Sequence, residues 1–235
     1  MIVITLTDRT RAKLEGVPVS CTAITEMNTL FAHHGRRRAL RTGDVLFHET
    51  DASNQVYLCS TGRVRLVVAG ACGRELMLDV KLPGDVFGEM SAIDGCGRAT
   101  TAVAMDPTEV IEVSGDRFLE ALLGDPSATL AALRGLSFDL RKANARITAG
   151  ETEPVVTRAA RLLLELTERF TNDGADHLVW TVPMTQADLA EWLGATRETT
   201  ARSLATLRRA GLISTGRNRV TVHDRTALAI VARPA

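Results

Sequence analysis

From residue 41 to residue 114 the chain cannot travel far in one direction, because turn signals interrupt it at short intervals. They stand at Thr42-Gly43-Asp44, Ser60-Thr61-Gly62, Ala69-Gly70-Ala71-Cys72-Gly73, Pro83-Gly84-Asp85 and Gly95-Cys96-Gly97. Between them lie Val45–Phe47, Gln55–Leu58, Val64–Val68, Glu75–Val80, Thr101–Ala104 and Glu109–Val113, short and apolar. Segments of that length are too short for core helices and suit strands closed by glycine turns. Residues 41–114 are therefore predicted to form an all-β barrel or roll.

After Ser114 the texture becomes helical. Ser114-Gly115-Asp116 can cap one helix through about Leu123, and Asp125-Pro126 opens a longer one. In the second, Leu133, Leu136, Leu140, Ala143 and Ile147 recur at spacings of three and four. Arg134, Asp139, Arg141, Lys142 and Arg146 leave the other faces polar. One narrow apolar seam on an otherwise charged helix predicts pairing with a second copy, a homodimer. Gly150 to Pro154 is polar, ends in a helix-stopping proline and is expected to be a hinge.

Val155–Phe170 is strongly helical, Thr171–Gly174 reads as a loop and Leu178–Val182 as a short strand. Two helices are then predicted, about 185–193 and 196–210. Thr185 can cap the first, with Asp188 completing a capping box, and Thr196 can cap the second. Gly194 breaks the chain between them. Leu189, Trp192, Leu193, Leu204 and Leu207 are the expected buried faces, and Leu212–Val222 reads as a small hairpin. A helix, a tight glycine turn and a second helix opening on Arg-Glu is a helix-turn-helix, whose second helix enters the major groove N-terminus first. Arg197 and Arg202 have the fork geometry for guanine O6 and N7. Glu198 can accept from cytosine N4 and orient Arg202 one turn on. Thr199, Arg217, Asn218 and Arg219 suit phosphates.

The charge distribution agrees. Basic and acidic residues balance at 28 each over 235 residues, yet residues 194–225 hold seven arginines against two acids. A basic segment on a neutral chain suggests that this end faces an anionic polymer, which the helix-turn-helix makes double-stranded DNA. The run Arg36-Arg37-Arg38 is read as a solvated edge in preference to a second phosphate site. No apolar run approaches the ~20 residues of a membrane span, and Met1–Thr10 lacks signal-peptide character. Cys21, Cys59, Cys72 and Cys96 are scattered, without a CxxC pair, so a reducing cytoplasm is expected. The sequence holds no nucleophile elbow, HExxH or Walker loop, and an enzyme is not expected.

Two segments carry a family resemblance. Phe87-Gly88-Glu89-Met90 with Gly97-Arg98-Ala99-Thr100-Thr101-Ala102, and Thr185–Thr199, resemble the signatures of the cAMP receptor protein/FNR family of transcription regulators, over about Gly43 to Asp224. The resemblance implies an α+β chain: an N-terminal cyclic-nucleotide-binding-like β-roll (jelly roll), a long dimerisation helix and a C-terminal winged helix-turn-helix. The corresponding boundaries are 1–125, 126–149, 150–154 for the hinge and 155–235. It implies a phosphate-binding cassette in which Arg98 forks onto the phosphate of cAMP and the Ala99 and Thr100 amides add donors. Gly88 would let the backbone come close, Glu89 would accept from the ribose 2′-hydroxyl, and Met90 would complete the cassette. Hydroxyl residues that meet adenine in cAMP-binding relatives are replaced by Ala143 and Asn144, of which Asn144 can still hydrogen-bond a base. The intact Arg-Glu-x-x-x-Arg pattern implies a palindrome of TGTGA-like half-sites, with RNA polymerase a possible further partner.

Rival readings within the family are a ligand-independent regulator, a thiol switch at Cys72 or Cys96, an iron–sulfur sensor, or a haem sensor through His33 or His34; a pure interaction module is the rival outside it. A Glu89–Arg98 salt bridge that merely staples the roll is the bland alternative to a ligand site. No metal is expected.

Overall fold

The structure is a computed structural model that describes residues 30–70, 73, 75–170 and 179–233. The helix expected at Thr22–Phe31 falls mostly outside that range, as do Cys21, Cys72 and the Thr171–Gly174 loop; residues 30–34 are helical. The chain divides into two compact units, up to Leu140 and from Arg141.

The first unit carries β1 (Arg36–Leu40), β2 (Val45–Phe47), β3 (Gln55–Thr61), β4 (Val64–Ala69), β5 (Glu75–Lys81), β6 (Val86–Phe87), α1 (Glu89–Asp94), β7 (Thr101–Ala104), β8 (Thr108–Ser114) and α2 (Gly115–Gly124). The strands form two four-stranded sheets, ordered β1-β8-β3-β6 and β2-β7-β4-β5, with every pairing antiparallel. The period of two along β3 builds two cores at once. Tyr57 and Cys59 point between the sheets and join Phe47, Val64, Phe87, Ala102 and Val110. Val56 and Leu58 point the other way and meet Phe31, Ala92, Phe118, Leu122 and Ala128. A strand buried on both faces reads as a continuous apolar run, as Val56–Cys59 does.

Three elements of this unit went unread in the sequence. The basic run is strand β1, whose Arg36 and Arg37 ion-pair with Glu112 and Glu109 across the register to β8. Strand β6 is only two residues long, and α1 is a short helix between Gly88 and Gly95, both in left-handed conformation.

Helix α3 (Pro126–Thr152) crosses from the first unit into the second. Asp125 opens it by accepting from the Ser127 and Ala128 amides. It passes through Gly150 and ends three residues beyond Ala149. An interior glycine costs only about 1 kcal/mol, whereas the ring of Pro154 cannot be accommodated. The break is thus confined to Glu153 and Pro154, and Glu153 ion-pairs with Arg161. Leu133, Leu140 and Ile147 of the seam are exposed on this chain, as are Leu130 and Phe138.

The second unit continues with α4 (Val155–Phe170), β9 (Trp180–Val182), α5 (Gln186–Leu193), α6 (Arg197–Arg209), β10 (Ile213–Gly216), β11 (Arg219–Val222) and α7 (Arg225–Val231). Ala159, Ala160, Leu163 and Leu166 of α4 are buried, together with Leu189, Leu204, Leu207 and Leu228 of the later helices. Strand β11 pairs with both β10 and β9 in a three-stranded antiparallel sheet. Arg146 and Arg158 donate to the Trp192 and Leu193 carbonyls, satisfying the otherwise unpaired C-terminal end of α5. Among the described residues no helix is long and apolar enough to cross a membrane.

Candidate functional site

Two groups of expected site residues can be located, one in each unit.

In the second unit Thr185 caps α5 through its hydroxyl, and Asp188 returns the bond to the Thr185 amide, completing the capping box. Gly194 takes φ 60°, a left-handed turn that glycine adopts without strain. Thr196 caps α6 by accepting from the Thr199 amide, which fixes where the second helix begins. Arg197, Glu198 and Arg202 then stand exposed on its first turns. Arg202 donates to Glu198 over 2.7 Å, with both side chains more than 70% exposed. An ion pair so open to water contributes little stability but fixes the direction of the guanidinium. The strands β10 and β11 turn at Arg217-Asn218, where Asn218 takes a positive φ, and Arg217 and Arg219 are exposed on that wing. Thr200 and Ser203 of α6 are both buried. The Ser203 hydroxyl bonds back to the Thr199 carbonyl, while the Thr200 hydroxyl meets no partner among the described residues.

In the first unit the chain runs from β6 through Gly88 into α1, so Glu89 and Met90 open a helix directly beside the two sheets. Gly88 has φ +80°, and a Cβ there would meet Arg98 Nη1 at 2.8 Å and the Gln55 carbonyl at 3.2 Å. Only glycine fits both demands. Arg98 occupies the space so released and is 2% exposed. Its Nη1 donates to the Gly88 carbonyl at 2.7 Å, and Nη2 donates to the Gln55 carbonyl at 2.6 Å and to Ser53 Oγ at 2.8 Å. The guanidinium carbon lies 4.3 Å from the centre of the Phe47 ring and 5.6 Å from that of Tyr57. Burial disfavours its charge, which Tyr57 and Glu89 help to retain. Ala99 is exposed and Thr100 half-buried, and neither amide donates to an acceptor among the described residues. Met90 is also exposed.

Among the described ion pairs none joins Glu89 to Arg98, although the two charges act on each other. Burial pushes the Glu89 carboxyl above the usual range, and Lys81 opposes that more strongly than Arg98 does. Sequence reasoning overlooked Ser53, Gln55, Phe47, Tyr57 and Lys81. The available signal was scarcity: Tyr57 is the single tyrosine, and Lys81 is one of three lysines. Asn144 is exposed on the part of α3 that belongs to the second unit.

Comparison with known proteins completes the picture. Residues 37–125 match a cyclic nucleotide-binding domain, and residues 157–230 match a Crp-like helix-turn-helix domain. A "CRP-like cAMP-activated global transcriptional regulator" of Mycobacterium tuberculosis is 33% identical over 193 residues, covering 81% of this chain and 85% of that protein. The chain belongs to the cAMP receptor protein/FNR family. A "Cyclic AMP receptor protein" of Thermus thermophilus is 29% identical over 224 residues, covering 93% of this chain and 98% of that one. The solved structure of FixK2 from Bradyrhizobium japonicum is similar with a TM-score of 0.75 at 25% identity, covering 86% of this chain and 98% of that one. The chain is thus a helix-turn-helix transcription regulator with a cyclic-nucleotide-binding β-roll, the mixed α+β architecture expected of it.

Among the described residues no three His, Cys, Asp or Glu side chains converge as metal ligands. Cys59 is buried between the sheets, whereas Cys96 is exposed in its glycine turn.

Proposed function

We propose that this chain works as a homodimer that reads a palindrome of TGTGA-like half-sites, and that cAMP bound in the β-roll modulates the reading. The observation that carries it is the presentation of Arg197, Glu198 and Arg202 on the first turns of a capped second helix, with Arg202 already aimed by Glu198. Guanine is met by an arginine fork and cytosine by a carboxylate, while Thr185, Thr196 and Thr199 at the helix starts and Arg217 and Arg219 on the wing lie where phosphates would run. Two-fold symmetry places the half-sites about two helical turns apart. At the other end the free Ala99 and Thr100 amides, beside an arginine behind Gly88, provide donors for a cyclic phosphate, with Glu89 for the ribose hydroxyl. The name of the mycobacterial relative supports cAMP as that nucleotide. RNA polymerase is a further partner of such a regulator, and a cytoplasmic location goes with it.

The test is a gel shift with a TGTGA palindrome and its scrambled counterpart, at low salt, with and without cAMP. Selective retardation that cAMP alters is expected; no shift under any condition overturns the DNA reading, and a shift indifferent to cAMP overturns the effector reading.

The dimer has its own test. Leu133, Leu140 and Ile147 are each more than half exposed on one face of α3, too much apolar surface to leave in water on a charged helix. Sedimentation of the wild-type chain is expected to give a dimer, and Leu140→Glu a shift towards monomer by at least tenfold in dissociation constant. A monomeric wild-type chain would refute the seam.

A further inference from the structure

The turn Gly95-Cys96-Gly97 leads from the end of α1 to Arg98, and Cys96 is exposed in it. A surface cavity of about 410 Å³ opens beside this turn. Its walls come from the β2–β3 connection, α1 and α2, and include Ser53, Asn54, Ser91, Cys96, Gly97 and Asp116. Glu89, Arg98, Ala99 and Thr100 do not line it, so the cavity is separate from the phosphate cassette. Ser91 is 6% exposed, yet its hydroxyl faces this space and meets no partner among the described residues. An unpaired buried hydroxyl on a cavity wall marks a place for a ligand's polar group. Asp116 accepts from Asn54 Nδ2 at 3.1 Å through one carboxylate oxygen, and its other oxygen has no partner among the described residues. Asp94 stands at the thiol itself: its carboxylate accepts from the Cys96 amide at 2.9 Å and its carbonyl from Sγ at 3.9 Å. Among the described residues no basic side chain lines the cavity.

We infer that Cys96 forms a reversible mixed disulfide with a low-molecular-weight disulfide whose halves carry an ammonium group, and that the cavity holds the attached half. Two carboxylates and no base around the thiol repel anionic reagents and draw cationic ones. In the step, Cys96 gives up its proton and the thiolate attacks one sulfur of the reagent. A bond forms between Sγ and that sulfur, the original S–S bond breaks, and the other half leaves as a thiol with the proton. Cys96 is oxidised to the disulfide level and the departing half is reduced. The attached half then donates from its ammonium to Asp116 and to the Ser91 hydroxyl. The adduct also has a lever on the cassette. Ser53 lines the same cavity, and its Oγ accepts from Arg98 Nη2 at 2.8 Å. An ammonium in the cavity competes for that oxygen and so loosens Arg98. This second step rests on the cyclic-nucleotide reading above.

The full chain and its Asp116→Asn variant are treated with cystamine and, separately, with dithiodiglycolate, which carries carboxylates in place of the ammonium groups. Peptide mass spectrometry follows the rate at Cys96. Dividing by the rate of a Gly-Cys-Gly peptide with the same reagent removes the reagents' own reactivity. The wild type is expected to gain cysteamine at Cys96, removable by dithiothreitol, with a normalised preference for cystamine of about tenfold. Asp116→Asn is expected to narrow that preference to about threefold or less. An unmodified Cys96, equal normalised rates, or a preference unchanged in Asp116→Asn would overturn the site. Calorimetry with cAMP then compares treated and untreated wild type, Cys96→Ser and Ser53→Ala. Treatment is expected to change wild-type affinity by about threefold or more, in the direction that Ser53→Ala itself takes, and to change neither variant. An unchanged wild-type affinity, or an equal change in Cys96→Ser, would overturn the link from Cys96 to Arg98. Absence of heat from every chain, treated or not, would instead overturn the effector reading and that link with it, while the mass and rate measurements still decide the cysteine site.

Discussion

Alanine at Arg202 is expected to remove most specific DNA binding while leaving the protein folded. A bidentate contact to guanine contributes about 1–3 kcal/mol, and a two-fold dimer loses it twice. The expected penalty is therefore about 2–6 kcal/mol, or about 30-fold to about 10⁴-fold in affinity for the palindrome. Arg197→Ala should fall in the same range. Thermal unfolding should hardly change, since Arg202 is exposed and its bond to Glu198 faces water. Glu198→Ala separates two roles for the carboxylate. If it only aims Arg202, the base preference at one position weakens; if it also accepts from cytosine, discrimination is lost at two. Arg219→Ala on the wing should behave differently. It should weaken binding to all sequences alike and reduce the salt slope by about one unit. Anisotropy titrations on the palindrome and on single-base variants, at two salt concentrations, give all of these. An Arg202→Ala chain that still prefers the palindrome by the wild-type margin would remove this residue from base reading.

The recognition end was legible because it is built from local rules. A threonine cap, a capping box, a left-handed glycine and an arginine four residues after a glutamate are each encoded within one turn of chain. Thr185, Gly194, Thr196 and the Glu198–Arg202 pair stand where the spacing put them. The long helix was legible for the same reason, apart from its end, since it runs on to Thr152 through the first residues read as hinge before the proline stops it. The β-roll was legible in class, since turn spacing alone demands short strands. Its register was not, and with it went the surroundings of Arg98. Nothing near Arg98 in sequence announces that Ser53, Gln55, Phe47 and Tyr57 will surround it; a fold-level crossing brings residues some forty to fifty positions away to one point. Strand β1 was hidden by its arginines, which read as a solvated patch until Glu109 and Glu112 stood opposite them on β8. Lys81 was missed for a similar reason. A lysine at a strand end is ordinarily a solvated charge, and only the folded roll buries this one, leaving Asp79 of its own strand as its ion-pair partner.

Arg98→Ala is expected to abolish cAMP binding, and the geometry of Arg98 predicts a second effect that a simple ligand-contact residue would lack. The guanidinium is a structural donor as well, since it satisfies the Gly88 and Gln55 carbonyls. Its removal takes a charged donor from each of those half-buried carbonyls, at up to about 3 kcal/mol of stability in the β-roll. To fork onto a phosphate, Arg98 must give up at least one of these bonds, and the free energy of that release is subtracted from the affinity. Ser53→Ala isolates this step. It deletes one anchor of Nη2 and touches neither the charge of Arg98 nor the Gly88 turn. If release limits binding, Ser53→Ala should bind cAMP several-fold more tightly than wild type, although it removes a polar contact next to the cassette. If Ser53 instead holds Arg98 in its binding position, the same variant should bind more weakly. Calorimetry on the wild type, Ser53→Ala and Arg98→Ala, with urea unfolding of each, separates the outcomes. A fully stable Arg98→Ala chain with undiminished cAMP affinity would show that the phosphate is held by the Ala99 and Thr100 amides alone.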